Sequence, residues 1–264
     1  MTQNGLHSKL DKDQLMNAIS ENTVIATCTL YNLETSSDIC RAELALRMIK
    51  SAVDKGFEVI VVDASPGEEL RHEFAKNGAK VFAQSKSGMG NSRRQALKEC
   101  YETKKPFIAF VDPEKVEYIP SLHRSIEPLA LGVGSMIIPR RKSMETYPTS
   151  QQLSEPFINA FWKDLTSTSF DITFGVRSWK RELTSYFLNY KGEYGDKWDC
   201  MYIPILDALH DNQKIVEVTI DYDHPKDQTD IEEHDLGFYW KRLHQADNIM
   251  GALERHWQKI HHKS

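Results

Sequence analysis

In the first half of the chain the hydrophobic residues fall in short unbroken runs, separated by stretches of helical period. Val24-Ile25-Ala26-Thr27-Cys28-Thr29-Leu30 is the first run and reads as a buried strand. Ser36, Ser37 and Asp38 offer N-cap oxygens to a helix that places Ala42, Ala45, Leu46, Ile49, Ala52 and Val53 on one face and ends at Gly56. A second strand, Glu58 to Val62, stops at Asp63. A helix through Leu70 and Phe74 closes at Asn77-Gly78, and Val81-Phe82-Ala83 gives a third strand. After Ser87-Gly88-Met89-Gly90 a helix carries Ala96, Leu97 and Cys100, and the fourth strand, Phe107 to Val111, ends at Asp112. This alternation predicts an α/β fold with a mostly parallel central sheet and helices on both faces. Ligands of such sheets bind outside the carboxyl ends of the strands, where Asp63 and Asp112 both fall.

The second half is less periodic. It predicts a strand over 133–139, a helix over 150–164, a short strand at Ile172-Thr173-Phe174-Gly175-Val176 and helical segments over 179–188 and 200–210. A strand from Lys214 to Asp221 and a final amphipathic helix over 236–257 complete it. Residues 1–20 read as a peripheral leader. Residues 21–264 read as one domain, with a first half over 21–140 and a second over 141–264.

Composition narrows the function classes. The 264 residues are 40% hydrophobic and 27% charged, enough for a core and a solvated surface. A net charge of -5 gives no reason to expect a nucleic-acid binder. No apolar stretch is long enough for a transmembrane segment, and the leader lacks the pattern of a signal peptide. Cys28, Cys40, Cys100 and Cys200 are scattered without a CxxC pair, which favours reduced core thiols and a cytoplasmic location.

Three groups carry candidate chemistry. Asp112-Pro113-Glu114 sets two carboxylates two positions apart at a strand exit, a pattern suited to Mg²⁺ or Mn²⁺ and a diphosphate. Read alone, the same residues also serve as solvated loop acids or a helix cap. Asp63 is equally suited to hydrogen-bonding a base or ribose and to capping the next helix. Gly88 to Arg94 joins glycines, a helix start and two guanidinium groups, an arrangement that favours phosphate. It matches neither G-x-G-x-x-G nor the P-loop.

Taken in order from residue 23 to about 220, these motifs resemble the family-2-like glycosyltransferases of GT-A fold. The resemblance rests on Leu30-Tyr31-Asn32-Leu33-Glu34 after the first strand, on Val61-Val62-Asp63, on Gly88 to Arg93 and on Phe110-Val111-Asp112-Pro113-Glu114 in the place of D-x-D. Phe174 to Leu183 is similar to the segment such enzymes use beside donor and acceptor. Gly195-Asp196-Lys197-Trp198-Asp199 is similar to the acidic element of their catalytic centre.

The resemblance implies transfer of a sugar from a UDP- or GDP-linked donor to a hydroxyl of a small-molecule or glycan acceptor. The donor is then expected at Tyr31, Asn32, Glu34, Asp63, Gly88, Arg93 and Asp112. The Mn²⁺ or Mg²⁺ ligands are expected to be Asp112, Glu114 and His224, with His234 in reserve, and Asp199 or else Asp196 faces the acceptor as general base. Read from its residues alone, Asp199 serves equally as a helix N-cap. Glu114 for aspartate, and Lys115 at an often acidic place, make this a variant of the motif. They keep open a glycosyltransferase-like binding protein without turnover. A sugar-1-phosphate nucleotidyltransferase ranks lower, because Tyr31 to Glu34 stands where such enzymes carry a Gly-rich, Arg-containing loop. The sequence leaves a homo-oligomer open.

Overall fold

The computed structural model describes residues 12–261. Seven strands form one sheet in the order β3-β2-β1-β4-β6-β5-β7. They are β1 (Thr23–Thr29), β2 (Glu58–Asp63), β3 (Lys80–Ala83), β4 (Phe107–Phe110), β5 (Met136–Arg141), β6 (Arg177–Lys180) and β7 (Ile215–Ile220). β1 to β4 run parallel, β7 runs parallel to β5, and β6 lies antiparallel between β4 and β5.

Successive residues of each inner strand feed two cores. Ile25, Val59 and Val61 pack on one face with the helix α2 (Ser36–Asp54) through Leu44, Met48 and Ile49, and with α5 (Leu122–Ala130) through Leu122 and Ile126. Val24, Ala26, Ile60 and Val62 pack on the other with α4 (Met89–Glu102), α6 (Thr149–Thr166), α7 (Thr184–Asn189), α8 (Asp199–His210) and α10 (Leu236–His261). Strands covered on both faces need the unbroken apolar runs seen in the sequence.

Several local expectations change. Lys12–Glu21 is a helix, α1, whose Ile19 is buried against the α2 side of the sheet; the rest of the expected leader, 1–11, lies outside the described residues. The strand expected at 172–176 is instead a 3-10 turn, Ile172–Phe174, halted by Gly175 at φ +84°, and the strand starts at Arg177. The α2 cap is Thr35, which accepts from the Asp38 amide, ahead of the three residues expected to cap it. The fold also contains α3 (Glu69–Lys76), α5 and α9 (Lys226–Glu232); α5 was not expected although Leu122, Ile126 and Leu129 recur at helical spacing on its buried face, and α9 has no apolar period. Among the described residues no helix is long and apolar enough to cross a membrane.

Candidate functional site

The parallel strands all exit on one side, and their following loops surround a cavity of about 420 Å³. Tyr31 follows β1, Ala64 follows β2, Gly88 caps α4, and Asp112 to Lys115 follow β4. Because β6 is antiparallel, its first residue, Arg177, pairs with Phe110, the last of β4. That register brings Gly175 and Arg177 beside Asp112. His224 arrives from the loop after β7, and α6, α9 and α10 close the far wall.

Asp112 is the half-buried acid of the triplet and faces the cavity. Among the described residues no side chain donates a hydrogen bond to its carboxylate, and burial pushes its pKa up against the pull of Arg93, Lys115 and Arg177. Glu114 turns away. Its Oε1 accepts from the Tyr31 hydroxyl at 2.9 Å and pairs with Arg41 at 2.8 Å. Burial alone would raise Glu114, yet Arg41 and the Tyr31 hydroxyl together hold it below the usual carboxylate value. Tyr31 thus enters the site by orienting Glu114.

Three cations face Asp112 without acidic partners of their own among the described residues. Arg93 donates to the Lys197 carbonyl at 3.3 Å and lies over the Phe110 ring. Arg177, 3% exposed, donates to the carbonyls of Met201 and Ile172, while its Nε has no partner. Lys115 is buried among the rings of Tyr147, Phe174 and Tyr222, 5.0–5.3 Å from their centres, and donates to the Tyr147 hydroxyl. Burying unpaired charge is costly unless a ligand compensates it.

His224 is 5% exposed, and burial lowers its pKa to about 2, with Lys115 and Arg242 adding to the effect. Its Nδ1 lies 2.8 Å from the Thr229 hydroxyl, which donates its only proton to the Thr146 carbonyl. Nδ1 must therefore carry the imidazole proton, and Nε2 keeps a free lone pair. Asp112 and His224 Nε2 are suitable divalent-cation ligands, whereas Glu114 is committed to Arg41 and Tyr31. Among the described residues no cluster of three or more acid, histidine or cysteine groups forms a metal cage. Mg²⁺ and Mn²⁺ sites that use one or two side chains complete their shell with substrate phosphates, so this donor set fits such a site and not a protein-only one.

The other expected site residues lie elsewhere. Asp63, 1% exposed, accepts from Thr29, Ser65 and Arg71, and Ser65 in turn accepts from the Tyr31 amide. It fixes the strand tips, and Ala64 lines the cavity in its place. Glu34 and Asn32 are exposed outside the cavity lining, and the Asn32 amide donates to Asp38. Asp199 is fully buried, accepting from the Tyr190 hydroxyl and from the amides of Asp196 and Lys197. Asp196 forms a two-pronged ion pair with Arg94. Neither Asp196 nor Asp199 lines the cavity, because each carboxylate is consumed in holding the 190–199 loop. The Gly90 amide at the start of α4 also donates to the Asp196 carbonyl, which reduces the free donors at that helix start. His234 lies outside the cavity lining.

Sequence reasoning did not single out Arg177, Gln151, Gln228, Glu232, Lys241 and Arg242, all of which line the cavity. Two of the pairs did carry a signal: Gln151 with Glu155 and Gln228 with Glu232 are spaced i, i+4, so each shares a helix face.

No protein-family model matches this chain, and no curated protein matches it in sequence. Solved structures do. Glucosyl-3-phosphoglycerate synthase from Mycobacterium tuberculosis, in complex with Mn²⁺, UDP and glucosyl-3-phosphoglycerate, superposes with a TM-score of 0.65 at 14% identity, covering 94% of this chain and 84% of that one. The same enzyme with Mn²⁺, UDP-glucose and glycerol 3-phosphate gives 0.64 at 14% identity, over 94% and 84% of the two chains. A structure described as a mycobacterial protein gives 0.65 at 15% identity, over 92% and 77%. The likeness establishes the fold: the chain has the GT-A-type architecture expected from its sequence.

Proposed function

We propose that the protein transfers a sugar from a nucleoside-diphosphate donor to a hydroxyl acceptor at the Asp112 cavity. The observation that carries this reading is the convergence of Arg93, Lys115 and Arg177, none paired with an acid, on the single unbonded carboxylate of Asp112 at the strand exits. Three fixed cations against one acid leave a net positive pocket sized for a small ligand, which suits a diphosphate. The structural neighbours, whose descriptions name UDP or UDP-glucose with Mn²⁺, support the same assignment.

In this reading Arg93 and Arg177 grip the diphosphate, and Lys115 supplies a further fixed charge through its aromatic surround. Asp112 and His224 Nε2 would hold Mn²⁺ or Mg²⁺, which would supply charge neutralisation for a departing diphosphate. Glu114 pairs with Arg41 and Tyr31, so its charge offsets Arg41 and leaves Arg93, Lys115 and Arg177 for the donor.

Titration calorimetry with UDP and GDP, each with Mn²⁺ and with chelator, tests the reading. One nucleotide is expected to bind more tightly with Mn²⁺, and Asp112→Ala is expected to abolish that increment. No binding of either nucleotide under any metal condition would refute it. Nucleotide binding with neither donor hydrolysis nor transfer to mixed acceptors would support the alternative of a binding protein on the same fold.

A further inference from the structure

The far wall of the cavity repeats one device on two helices. Gln151 Nε2 donates to Glu155 Oε1 at 2.7 Å on α6, and Gln228 Nε2 donates to Glu232 Oε1 at 2.8 Å on α9. Only an amide nitrogen can face a carboxylate in this way, so the orientation of both glutamines is chemically fixed and each leaves its Oε1 without a donor. Glu155 Oε2 is taken by Arg141 at 2.7 Å, but Glu232 Oε2 has no hydrogen-bond partner. Three acceptor oxygens, Gln151 Oε1, Gln228 Oε1 and Glu232 Oε2, thus receive no hydrogen bond on side chains 4%, 8% and 2% exposed, with Arg242 Nη2 standing 3.9 Å from Glu232 Oε2 as an ion-pair partner. One donor, Arg242 Nε, is unpartnered beside them.

Buried acceptors left empty are costly, so the wall is incomplete until something brings donors to it. A fully ionised anion carries no proton to give these acceptor oxygens, one of which belongs to the Glu232 carboxylate. An ammonium is disfavoured by Arg41, Lys241 and Arg242, which line the same end of the cavity. An uncharged hydroxyl meets both demands, since it donates to an oxygen and accepts from a guanidinium through one atom.

We infer that this wall is a subsite for an uncharged polyhydroxylated ligand, a sugar or polyol, held through several hydroxyl groups by Gln151, Gln228 and Glu232. It rests on the proposed transferase reading only in making that ligand the acceptor, with Glu232 Oε2 receiving a ligand hydroxyl.

Saturation-transfer NMR on the full chain, with and without UDP and Mn²⁺, tests it using methyl α-glucoside, methyl α-mannoside, mannitol and 3-phosphoglycerate as probes. At least one uncharged probe is expected to bind. Glu232→Gln and Gln228→Leu are each expected to weaken it about tenfold while UDP binding stays at the wild-type level. Glu232→Gln preserves shape and guards against a folding defect in the leucine variant. Binding of 3-phosphoglycerate alone, of none of the probes, or of an uncharged probe equally in both variants overturns the inference. Absence of UDP binding in the wild type is a separate result: it removes the donor reading and leaves the probe data to decide the subsite.

Discussion

Gly175→Ala tests how tightly the turn before β6 is fitted to Asp112. Gly175 has φ +84°, and an alanine Cβ there would overlap Asp112 Oδ2 and stand 2.9 Å from its Cγ. Ordinary carbon contacts lie at ~3.5–4.0 Å, so the carboxylate has to move. Gly132 provides an internal control, because it has φ +71° and open space where its Cβ would be. A left-handed alanine costs about 1–2 kcal/mol at either position. The clash adds a further ~1–3 kcal/mol at Gly175 alone. Urea denaturation is therefore expected to show a larger loss for Gly175→Ala than for Gly132→Ala. In UDP titration with Mn²⁺, Gly132→Ala is expected to match the wild type, and Gly175→Ala to bind about tenfold more weakly or worse, equivalent to about 1.4 kcal/mol. Equal behaviour of the two variants in both assays would show that Asp112 is not held by this contact and that its position is not critical for the nucleotide.

Arg177→Met is expected to weaken UDP by about 10- to 150-fold, the equivalent of losing a charged hydrogen bond worth ~1.5–3 kcal/mol; unchanged affinity in calorimetry would remove it from the diphosphate site. Asp199→Asn is expected to cost roughly 1–3 kcal/mol of stability, because the amide keeps one acceptor oxygen, turns the other position into a donor facing donors and removes the charge, with turnover per folded molecule unchanged. Lost turnover at unchanged stability would instead make Asp199 a group of the chemistry. His224 yields a pH signature. In the unfolded chain it takes up a proton as pH falls through about 6.5, but the folded protein resists until about 2. Protons therefore favour unfolding in that window, and stability drops by up to ~1.4 kcal/mol per pH unit below 6.5. Denaturation from pH 7 to 5 is expected to show this slope in the wild type and a shallower one in His224→Asn; equal slopes would contradict a buried neutral imidazole.

The first half of the chain was legible because its strands are buried on both sides, which forces continuous apolar runs, and its parallel order brings every strand exit to one side. Asp112 falls at such an exit and lines the cavity. The same logic overvalued Asp63 and Asp199: sequence shows an acid at an exit or helix start but not which donors consume it, and Thr29, Ser65, Arg71, Tyr190 and two loop amides consume these two. Arg177 lay inside the Phe174 to Leu183 segment that the resemblance set beside donor and acceptor but was not picked out of it, because β6 has four residues, Arg177–Lys180, and starts on a charge, so periodicity placed the strand too early, at 172–176. α9 was hidden because its seven residues are almost all polar and its inward face consists of glutamine and glutamate. A polar wall facing a ligand cavity leaves no hydrophobic period to read.

The clasp between Arg94 and Asp196 spans 102 positions of sequence. It joins α4 to a loop made well after it, and β6 likewise inserts between β4 and β5 from a later part of the chain. The loop at Gly88 to Arg93 therefore cannot settle while only the first half of the chain has emerged from the ribosome. A nascent chain stalled before residue 177 would lack β6 and have its β1 to β4 layer exposed along the β4 edge, and the Asp112 cavity would form last. Contacts of this separation slow folding, because the loop they close must be ordered before they contribute. Nucleotide added during refolding is thus expected to act late, trapping the finished pocket without speeding the early steps.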